Sequence, residues 1–255
     1  MIPHRLFRFS GGSLPYDCVL TLRAAGPMKG RTDEENRARV FSGLGIESSR
    51  VVSLTQIHSR TVYVAQTPED FSDWKEGDGI LAGNPDIVPC VTVADCMPIW
   101  LCHERAPCFG VLHSGWKGTG IIREALAAAR RVWGAEPAGF HVILGPHIRS
   151  CCYTVDDDRA RYFSENFSPD AVCLDEARNQ AGSVWPWRLS LAEANRHLCW
   201  EAGIPDGHIV DTGLCTACGS EFGSNHAKDP VHLPTWRPLS GTLCIERPRQ
   251  FRYTL

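Results

Sequence analysis

Histidine and cysteine side chains stand where three apolar runs of the sequence meet a polar turn. They are His58, Cys96 and His113, separated along the chain by 38 and 17 residues. Two imidazoles and a thiolate suit Zn²⁺, and three protein ligands with a fourth position open to water or substrate are typical of a catalytic zinc site. Copper accepts the same ligand types. The spacing is too wide for a compact zinc finger, so these residues can meet only through the fold.

The same residues allow two other interpretations. Cys96 could act as a nucleophile activated by His113 or His58, with Asp95 or Asp78 orienting the imidazole. Alternatively, Cys96 could be a buried core residue and both histidines could be satisfied by local hydrogen bonds. Residue types alone do not separate a thiolate on zinc from a thiolate paired with an imidazolium.

The segment that follows His113 predicts an anion site. Two glycines in Ser114–Thr119 lead into a predicted helix, whose N-terminus presents free N–H groups and partial positive charge. Lys117 adds a full charge there, beside Gly118 and Thr119. A similar loop after the next predicted strand carries Arg149, a candidate for a phosphate or ribose contact. The alternative is that the glycines only permit a tight turn.

Cysteine is abundant, with 12 residues. Cys215 and Cys218 form a single CxxC motif, which could be redox-active or half of a zinc ribbon. Because no second CxxC is present, we expect a structural role for the pair. Cys151 and Cys152 receive no assignment. Apolar surroundings predict core packing for the other cysteines, which are Cys18, Cys90, Cys102, Cys108, Cys173, Cys199 and Cys244.

Short apolar runs and a few amphipathic segments predict the elements that position these residues. Strands outnumber helices and do not alternate strictly with them, which favours an α+β fold with mixed sheets over a doubly wound fold. Ser190 with Glu193, and Thr32 with Glu35, have the spacing of helix capping boxes. We predict helices at Thr32–Leu44, Gly120–Trp133 and Ser190–Gly203, and strands at Val51–Leu54, Thr61–Ala65, Ile87–Val93, Pro98–Cys102, Cys108–Leu112, Phe140–Leu144 and Thr242–Ile245.

The amino-acid composition limits the classes of protein to which the chain can belong. The chain has 255 residues, of which 43% are hydrophobic and 22% charged, which excludes wholesale disorder. A net charge of −3 gives no basic excess for nucleic acid or for an anionic membrane surface. No apolar stretch is long enough to span a bilayer and no signal peptide is recognisable. We predict one domain over residues 1–255, a cytoplasmic location and reduced cysteines.

Several motifs occur together in one order along the chain and resemble the YfiH-like family, also called the multicopper polyphenol oxidoreductase or laccase-domain family. They are Gln56–His58, Gly77–Leu81, Ala94–Pro98, His113–Thr119, Gly145–Ile148 and Cys152–Val155. The chained set is more specific than any one motif. The resemblance implies an α+β fold of layered mixed sheets flanked by helices, similar to the catalytic part of cytotoxic necrotizing factor toxins.

The resemblance also implies an activity. Members of this family are zinc-dependent purine nucleoside phosphorylases that act on adenosine, inosine, guanosine and 5′-methylthioadenosine, with adenosine deamination as an additional activity. The implied metal ligands are His58, Cys96 and His113. Zinc is the expected metal and copper is less favoured. A copper laccase is the weaker option, because the chain lacks the paired His-x-His motifs of multicopper oxidases. The implied partners are a nucleoside and phosphate, with no nucleic acid or membrane.

Roles follow for the remaining residues of the site. Cys96, His113, Asp95 and Asp78 are the candidates for chemistry, with the two aspartates as partners of a metal-bound imidazole. Asp78 is also a candidate proton carrier. The predicted phosphate and substrate contacts are Lys117, Gly118, Thr119, Arg149 and Gln56.

The chain departs from the family pattern in two places. Lys117 stands where the family usually has arginine, which keeps the charge but loses the bidentate fork. The family's C-terminal pattern Phe-x-Ser-x-Arg-Arg-Asp, followed by Thr-Gly-Arg, corresponds here to Phe222–Asp229 and Ser240–Thr242, without the arginines. Arg237 is a candidate replacement. If those arginines hold phosphate, the departure predicts a changed substrate or weaker use of phosphate.

Two further functions stay open on the sequence. One is a cysteine hydrolase or amidase that edits peptidoglycan precursors with Cys96 and His113, because some bacterial members of the family are implicated in such editing. The other is a non-catalytic metal-binding protein.

Overall fold

The computed structural model describes residues 1–10, 14, 16–71 and 73–226, and the backbone of 241–246. The helices in this part of the chain are α1 (Glu34–Gly43), α2 (Ile121–Trp133), α3 (Asp157–Asn166), α4 (Glu176–Gln180) and α5 (Leu191–Glu201). The strands are β1 (His4–Phe7), β2 (Asp17–Thr21), β3 (Val51–Ser53), β4 (Val62–Ala65), β5 (Gly79–Ala82), β6 (Val88–Val93), β7 (Met97–His103), β8 (Phe109–Ser114), β9 (Phe140–Leu144), β10 (Thr154–Val155), β11 (Val172–Leu174), β12 (Trp187–Leu189), β13 (Ile209–Asp211) and β14 (Gly241–Glu246).

The strands form three sheets. The largest has the order β13-β9-β7-β8-β5-β4, with parallel pairs at its two edges and antiparallel pairs between them. A second sheet has the order β1-β2-β14-β6-β3, and a small one has the order β10-β12-β11. The predicted α+β class with mixed sheets is confirmed.

The six-stranded sheet is buried on both faces, and the side chains of β7 show why. Ile99 and Leu101 pack with the helices, whereas Trp100 and Cys102 pack against the five-stranded sheet. Successive side chains of a strand point to opposite faces, so a continuous apolar run fits a strand between two layers. Helices α2 and α5 cover one face of this sheet, and α1 packs with residues of β6 in a third cluster.

The predicted capping boxes differ in outcome. The Ser190 hydroxyl accepts the backbone N–H of Glu193 at 3.2 Å and caps α5, as predicted. At α1 the prediction is wrong, because the Thr32 hydroxyl donates to the carbonyl of Lys29 instead and the helix begins at Glu34. A short 3₁₀ turn, Gly30–Asp33, occupies the predicted first turn.

Most cysteines with a predicted packing role are buried. Cys173 is the exception, since it is exposed on β11. The side chain of Cys244 lies outside the described residues, as do residues 227–240, including Arg237. None of the helices in the described part of the chain is long and apolar enough to cross a membrane.

Strand register places the chemistry-bearing residues at one end of the six-stranded sheet. Gly79 of β5 pairs with Leu112 of β8, and Pro98 of β7 pairs with His113, which also belongs to β8. The start of β5, the start of β7 and the end of β8 therefore coincide. The turns that enter or leave these strands must meet there.

Candidate metal centre and its cavity

His58, Cys96 and His113 bring their ligand atoms together at this end of the sheet. One ring nitrogen of each histidine and the Cys96 sulfur lie within 4.8 Å of one another. The two imidazole rings are 4.9 Å apart between centroids and tilted by 69°. His58 is exposed, Cys96 is half-buried and His113 is buried, so the group opens to solvent on the His58 side.

The backbone around this group adopts conformations that most residues avoid. His58 has φ of 61°, Asp95 has φ of 74° and Trp74 has φ of 53°. Within the described residues these are the non-glycine positions with positive φ, and all three border the group or its cavity. Left-handed backbone at such residues is costly and concentrates at functional sites. The turns are therefore shaped for the position of their side chains.

Asp78 holds two of the three ligands, His58 and His113, through hydrogen bonds. Its carboxylate is fully buried and accepts a hydrogen bond from His113 Nδ1 at 2.8 Å and from the backbone N–H of His58 at 3.0 Å. The backbone N–H and hydroxyl of Ser59 donate to its other oxygen at 2.6 and 2.7 Å. With Nδ1 engaged, His113 keeps Nε2 as the nitrogen available to a metal. A carboxylate behind a ligating imidazole is the usual support of such ligands.

Hydrogen bonding sets the charge state of the group. Burial raises the pKa of the Cys96 thiol, yet hydrogen bonds with His113 and His58 outweigh it and bring this pKa to about 6. Burial lowers the pKa of His113, yet hydrogen bonds with Asp78 and Cys96 raise it to about 9. Burial would also raise the pKa of Asp78, but hydrogen bonds from His113 and Ser59 hold it below its ordinary value. Cys96 is therefore a thiolate near neutral pH, as a metal ligand or a nucleophile requires.

Gly115 keeps the space between the ligands open. A Cβ at this position would lie 2.7 Å from the Cys96 sulfur and 3.4 Å from Cδ2 of His58. A thiolate and two imidazoles, one of them backed by a carboxylate, fit the donor set of a three-ligand zinc site. The residues present are thus compatible with the metal that the family resemblance implies.

Asp95 has a different role from Asp78. Its carboxylate accepts hydrogen bonds from the hydroxyls of Thr216 at 2.7 Å and Ser224 at 2.6 Å, and from the backbone N–H of Asn225 at 2.6 Å. It also accepts from Nδ1 of His226 at 3.0 Å. The sequence offered either aspartate as the partner of an imidazole of the triad, which is the group His58, Cys96 and His113. The structure places Asp78 there, whereas Asp95 binds the segment 216–226 next to Cys96.

These contacts identify His226 as a residue that sequence reasoning missed. It stands at the first arginine position of the family's Phe-x-Ser-x-Arg-Arg-Asp pattern. Its hydrogen bond with the Asp95 carboxylate, against a smaller opposing effect of burial, raises the pKa of its imidazole above the ordinary value. The signal available in the sequence was a histidine replacing an arginine in that motif.

A cavity of about 480 Å³ opens beside the triad. Besides His58, Cys96 and His113, its walls include Trp74 and the basic residues Lys29 and Arg31. The guanidinium of Arg31 lies 5.9 Å from the Trp74 ring centroid. Sequence reasoning missed these wall residues, because Lys29 and Arg31 precede the predicted helix Thr32–Leu44 and received no assignment.

Two further wall residues are held by hydrogen bonds. The Gln56 amide accepts from the backbone N–H of Thr92 at 2.7 Å and donates to its carbonyl at 2.9 Å. Arg37 donates to the carbonyl of Met28 at 3.0 Å and to the hydroxyl of Ser53 at 2.7 Å. Gln56 is thus at the predicted substrate cavity, with its amide occupied in fixing the wall.

The other residues predicted to bind phosphate lie elsewhere. Lys117 is exposed, and its ammonium lies 5.3 Å from the Trp116 ring. The buried Thr119 hydroxyl donates to the carbonyl of Gly115 at 2.9 Å, and a Cβ at Gly118 would lie 3.1 Å from the carbonyl of Ser59. Arg149 pairs with Asp211 at 2.7 Å. None of the four lines the cavity beside the triad, and their role in phosphate binding stays a prediction.

The sequence is similar to a family model and to several named enzymes. The family model described as multi-copper polyphenol oxidoreductase laccase matches residues 29–230. The purine nucleoside phosphorylase of Deinococcus radiodurans is 32% identical over 226 residues, covering 84% of this chain and 80% of that protein. The purine nucleoside phosphorylase YlmD of Geobacillus stearothermophilus is 30% identical over 217 residues, covering 78% of this chain and 75% of that protein.

Two further comparisons concern an adenosine deaminase and a solved crystal structure. The adenosine deaminase RL5 of an unknown prokaryotic organism is 30% identical over 185 residues, covering 69% of this chain and 68% of that protein. The crystal structure of YlmD from Geobacillus stearothermophilus matches with a TM-score of 0.77 at 26% identity, covering 96% of this chain and 98% of that one. The predicted YfiH-like architecture is therefore confirmed.

Proposed function

The chain belongs to the multi-copper polyphenol oxidoreductase laccase family, as its motifs predicted, and we propose that it is a zinc-dependent purine nucleoside phosphorylase. The proposed reaction converts adenosine, inosine, guanosine or 5′-methylthioadenosine and phosphate into the free base and the pentose 1-phosphate. Deamination of adenosine is an additional proposed activity, supported by the adenosine deaminase among the relatives.

One observation carries this proposal. A thiolate and two imidazoles converge within 4.8 Å of one another and open onto a cavity of about 480 Å³. The cavity is large enough for a small polar molecule, and its walls include the aromatic ring of Trp74 and the basic residues Lys29, Arg31 and Arg37. These are the groups that a flat purine and an anionic phosphate would require.

His58, Cys96 and His113 are the residues that would hold the zinc ion. When bound, zinc supplies a Lewis acid for the substrate and, for deamination, an activated water. Asp78 fixes the imidazole of His113 and the backbone at His58, so the ligands are in place before any substrate arrives.

The residues of the cavity walls would bind and position the nucleoside and the phosphate. Breaking the bond between sugar and base passes through an oxocarbenium-like state, so the sugar must be held with phosphate on the opposite side from the departing base. Trp74, Lys29 and Arg31 line the cavity, where the Trp74 ring would stack on a purine and the two cations would hold phosphate. Such positioning of two reactants converts a bimolecular reaction into an effectively unimolecular one.

The proposal is tested by assaying base release with matched variants. Purified protein is incubated with each nucleoside and phosphate, and the free base is quantified alongside zinc content. Cys96→Ala should abolish base release and lose zinc, whereas Cys173→Ala, at an exposed cysteine far from the triad in sequence, should change neither. Unchanged turnover in Cys96→Ala would contradict the proposal.

A second candidate function rests on the same thiolate. Hydrogen bonds with two imidazoles, acting against burial, bring the pKa of Cys96 to about 6, as in a cysteine hydrolase or amidase of the kind that could edit peptidoglycan precursors. In that case an electrophile should label Cys96 and block hydrolysis of the precursor while zinc content stays unchanged. The third expectation, a non-catalytic metal-binding protein, is disfavoured because the relatives are named as enzymes.

A further inference from the structure

Four cysteines form a second cluster, made by two loops that the six-stranded sheet brings together. Strands β9 and β13 are parallel neighbours, with Leu144 paired with Asp211 at their carboxyl ends. The loop after β9 carries Cys151 and Cys152. The loop after β13 carries Cys215 and Cys218, and a backbone bridge between His147 and Cys215 holds the two loops together.

The spacing of the four sulfur atoms fits one metal ion. All four lie within 4.8 Å of one another. Cys152 and Cys218 are 3.3 Å apart between sulfurs, Cys151 and Cys218 are 3.6 Å apart, and Cys151 and Cys152 are 3.8 Å apart. A tetrahedral zinc ion with bonds of about 2.3 Å to sulfur requires sulfur separations of about 3.8 Å. A disulfide requires about 2.0 Å, and all four cysteines are free.

Two guanidinium groups flank the cluster. Arg188 donates to the carbonyl of Cys151 at 2.7 Å and fixes the first loop. Arg149, anchored by Asp211 at 2.7 Å, precedes the vicinal cysteines by two residues. Both guanidinium groups already pair with a carboxylate, Arg149 with Asp211 and Arg188 with Asp175 at 2.7 Å, so they fix the loops that carry the cysteines.

We propose that Cys151, Cys152, Cys215 and Cys218 bind one zinc ion in a closed structural site, separate from the triad. Four protein ligands leave no position for substrate, which is typical of a structural site rather than a catalytic one. Two of the cysteines are exposed and two are half-buried, so the ion can enter from solvent. The four thiols release their protons to water when the ion binds.

The proposed ion has a consequence for the neighbouring centre. Thr216 lies inside the CxxC turn, and its hydroxyl donates to the Asp95 carboxylate beside Cys96. The zinc ion would therefore hold the loop that reaches Asp95, which makes it a support for the catalytic end of the sheet. The sequence showed only half of this site as a motif, since the vicinal cysteines lie more than 60 residues before the CxxC.

Metal stoichiometry tests the proposal. Elemental analysis of the protein purified in the presence of zinc should give two zinc ions per chain. The double variant Cys215→Ser/Cys218→Ser should lose one equivalent and keep the other. The double variant His58→Ala/His113→Ala should lose the ion of the triad and keep the ion of the four cysteines. Both results are independent of nucleoside turnover, so failure of the proposed function and failure of this site are distinguishable. The control Cys173→Ser should retain both ions.

Thiol protection in the unmodified protein provides a second test, which does not depend on a variant that folds. In zinc-loaded protein the four cysteines should resist iodoacetamide while Cys173 reacts, and a chelator should expose them. Mass spectrometry of the peptides reports both states. Equal alkylation of the four cysteines and Cys173 before chelation would overturn the proposal. So would an intact mass showing disulfides, or a zinc content that the double cysteine variant leaves unchanged.

Discussion

The triad depends on the absence of a side chain at position 115 as much as on the ligands themselves. Gly115 follows His113 by two residues, and its backbone runs beside the Cys96 sulfur. Ligand geometry tolerates only small displacements, because metal affinity and reactivity both depend on the direction of the donor atoms. The glycine of the His-x-Gly motif is therefore explained by packing against the ligands rather than by backbone freedom.

Gly115→Ala should damage the centre without unfolding the protein. The added Cβ would lie 2.7 Å from the sulfur, well inside ordinary contact, so Cys96 must move. A displacement approaching 1 Å at the reacting centre is expected to reduce activity about 100-fold. Zinc content and base release should fall together, with the melting temperature little changed. Gly207→Ala is the matched control, because nothing lies within 4 Å of a Cβ there. Equal activity in the two variants would refute this explanation.

Residue type and motif order were sufficient to predict His58, Cys96 and His113 as a group. They were not sufficient for Lys29 and Arg31, whose segment carries no local chemical signal and reaches the cavity only through long-range packing. The separate tasks of Asp78 and Asp95 also needed the structure. Both are acidic residues at strand ends, and only their hydrogen-bond partners distinguish them.

At the scale of elements, a buried carboxylate binds a loop to the end of the sheet. Asp95 receives five hydrogen-bonding groups from the segment 216–226, two of them from His226. Its pKa stays below the ordinary value, because hydrogen bonds from His226, Ser224 and Thr216 outweigh the effect of burial, which raises it. The loop is therefore attached through charge-assisted hydrogen bonds, which are stronger than neutral ones.

Thr216→Val should weaken this attachment. The variant keeps the shape of the side chain and removes the hydroxyl that donates to the carboxylate at 2.7 Å. A hydrogen bond to a charged acceptor contributes about 1.5–3 kcal/mol, so the free energy of unfolding in urea should fall by that amount. Thr212→Val is the control, since its hydroxyl donates to the neutral carbonyl of Leu144 at 3.1 Å. Its loss should be smaller, and equal losses would argue against the special role of Asp95.

Strand β7 contains a buried donor whose partner the structure does not supply. Trp100 is fully buried, and its Nε1 has no hydrogen-bond partner among the described residues. Its ring packs 5.5 Å from that of Phe7. A buried donor without a partner costs about 1–3 kcal/mol, which offsets much of the benefit of the indole over a smaller ring.

Trp100→Phe should therefore be nearly neutral, with a change of at most about 1 kcal/mol in the free energy of unfolding. Trp100→Ala removes the ring without replacement and should cost about 3–5 kcal/mol. Urea unfolding of both variants measures the difference. If Trp100→Phe were as destabilising as Trp100→Ala, the unpaired N–H would not offset the packing of the larger ring, and this explanation would be wrong.

At the scale of the whole molecule, two sheets and a layer of helices share the burial of apolar side chains. The sequence predicted the inner strands well, because continuous apolar runs such as Phe140–Leu144 are buried on both faces. It missed α3, where Ala160 and Phe163 are the only residues of the helix that are buried. Strand order was beyond local patterns, since pairs such as β14 with β2 join distant parts of the chain. The single domain over residues 1–255 stays a prediction.

Acid should destabilise the molecule partly through the edge of the six-stranded sheet. Burial raises the pKa of Asp211, but hydrogen bonds from Arg149 and from the backbone N–H of Gly213 hold it below its ordinary value. The folded state thus binds the proton more weakly than the unfolded state. The contribution is present above the unfolded pKa of about 4 and is lost as the pH falls through the folded pKa.

Asp211→Asn should remove this part of the pH dependence. The variant should be less stable than the parent at pH 7. The difference should begin to shrink as the pH falls below about 4, where Asp211 of the unfolded chain is protonated, and should vanish at the lower pH at which the folded carboxylate is protonated too. Urea midpoints measured between neutral and acid pH give both curves. Parallel curves over the whole range would show that the Arg149 pair does not contribute in this way.

We propose that the triad and its cavity catalyse phosphorolysis of purine nucleosides. The most direct measurement is the ratio of purine base released to phosphate consumed, with adenosine as substrate and zinc-loaded protein. We predict one base and one pentose 1-phosphate for each phosphate consumed, no base release without phosphate, and loss of both products in Cys96→Ala. Base release that does not depend on phosphate, or no base release by protein with a fully occupied triad, would contradict the account.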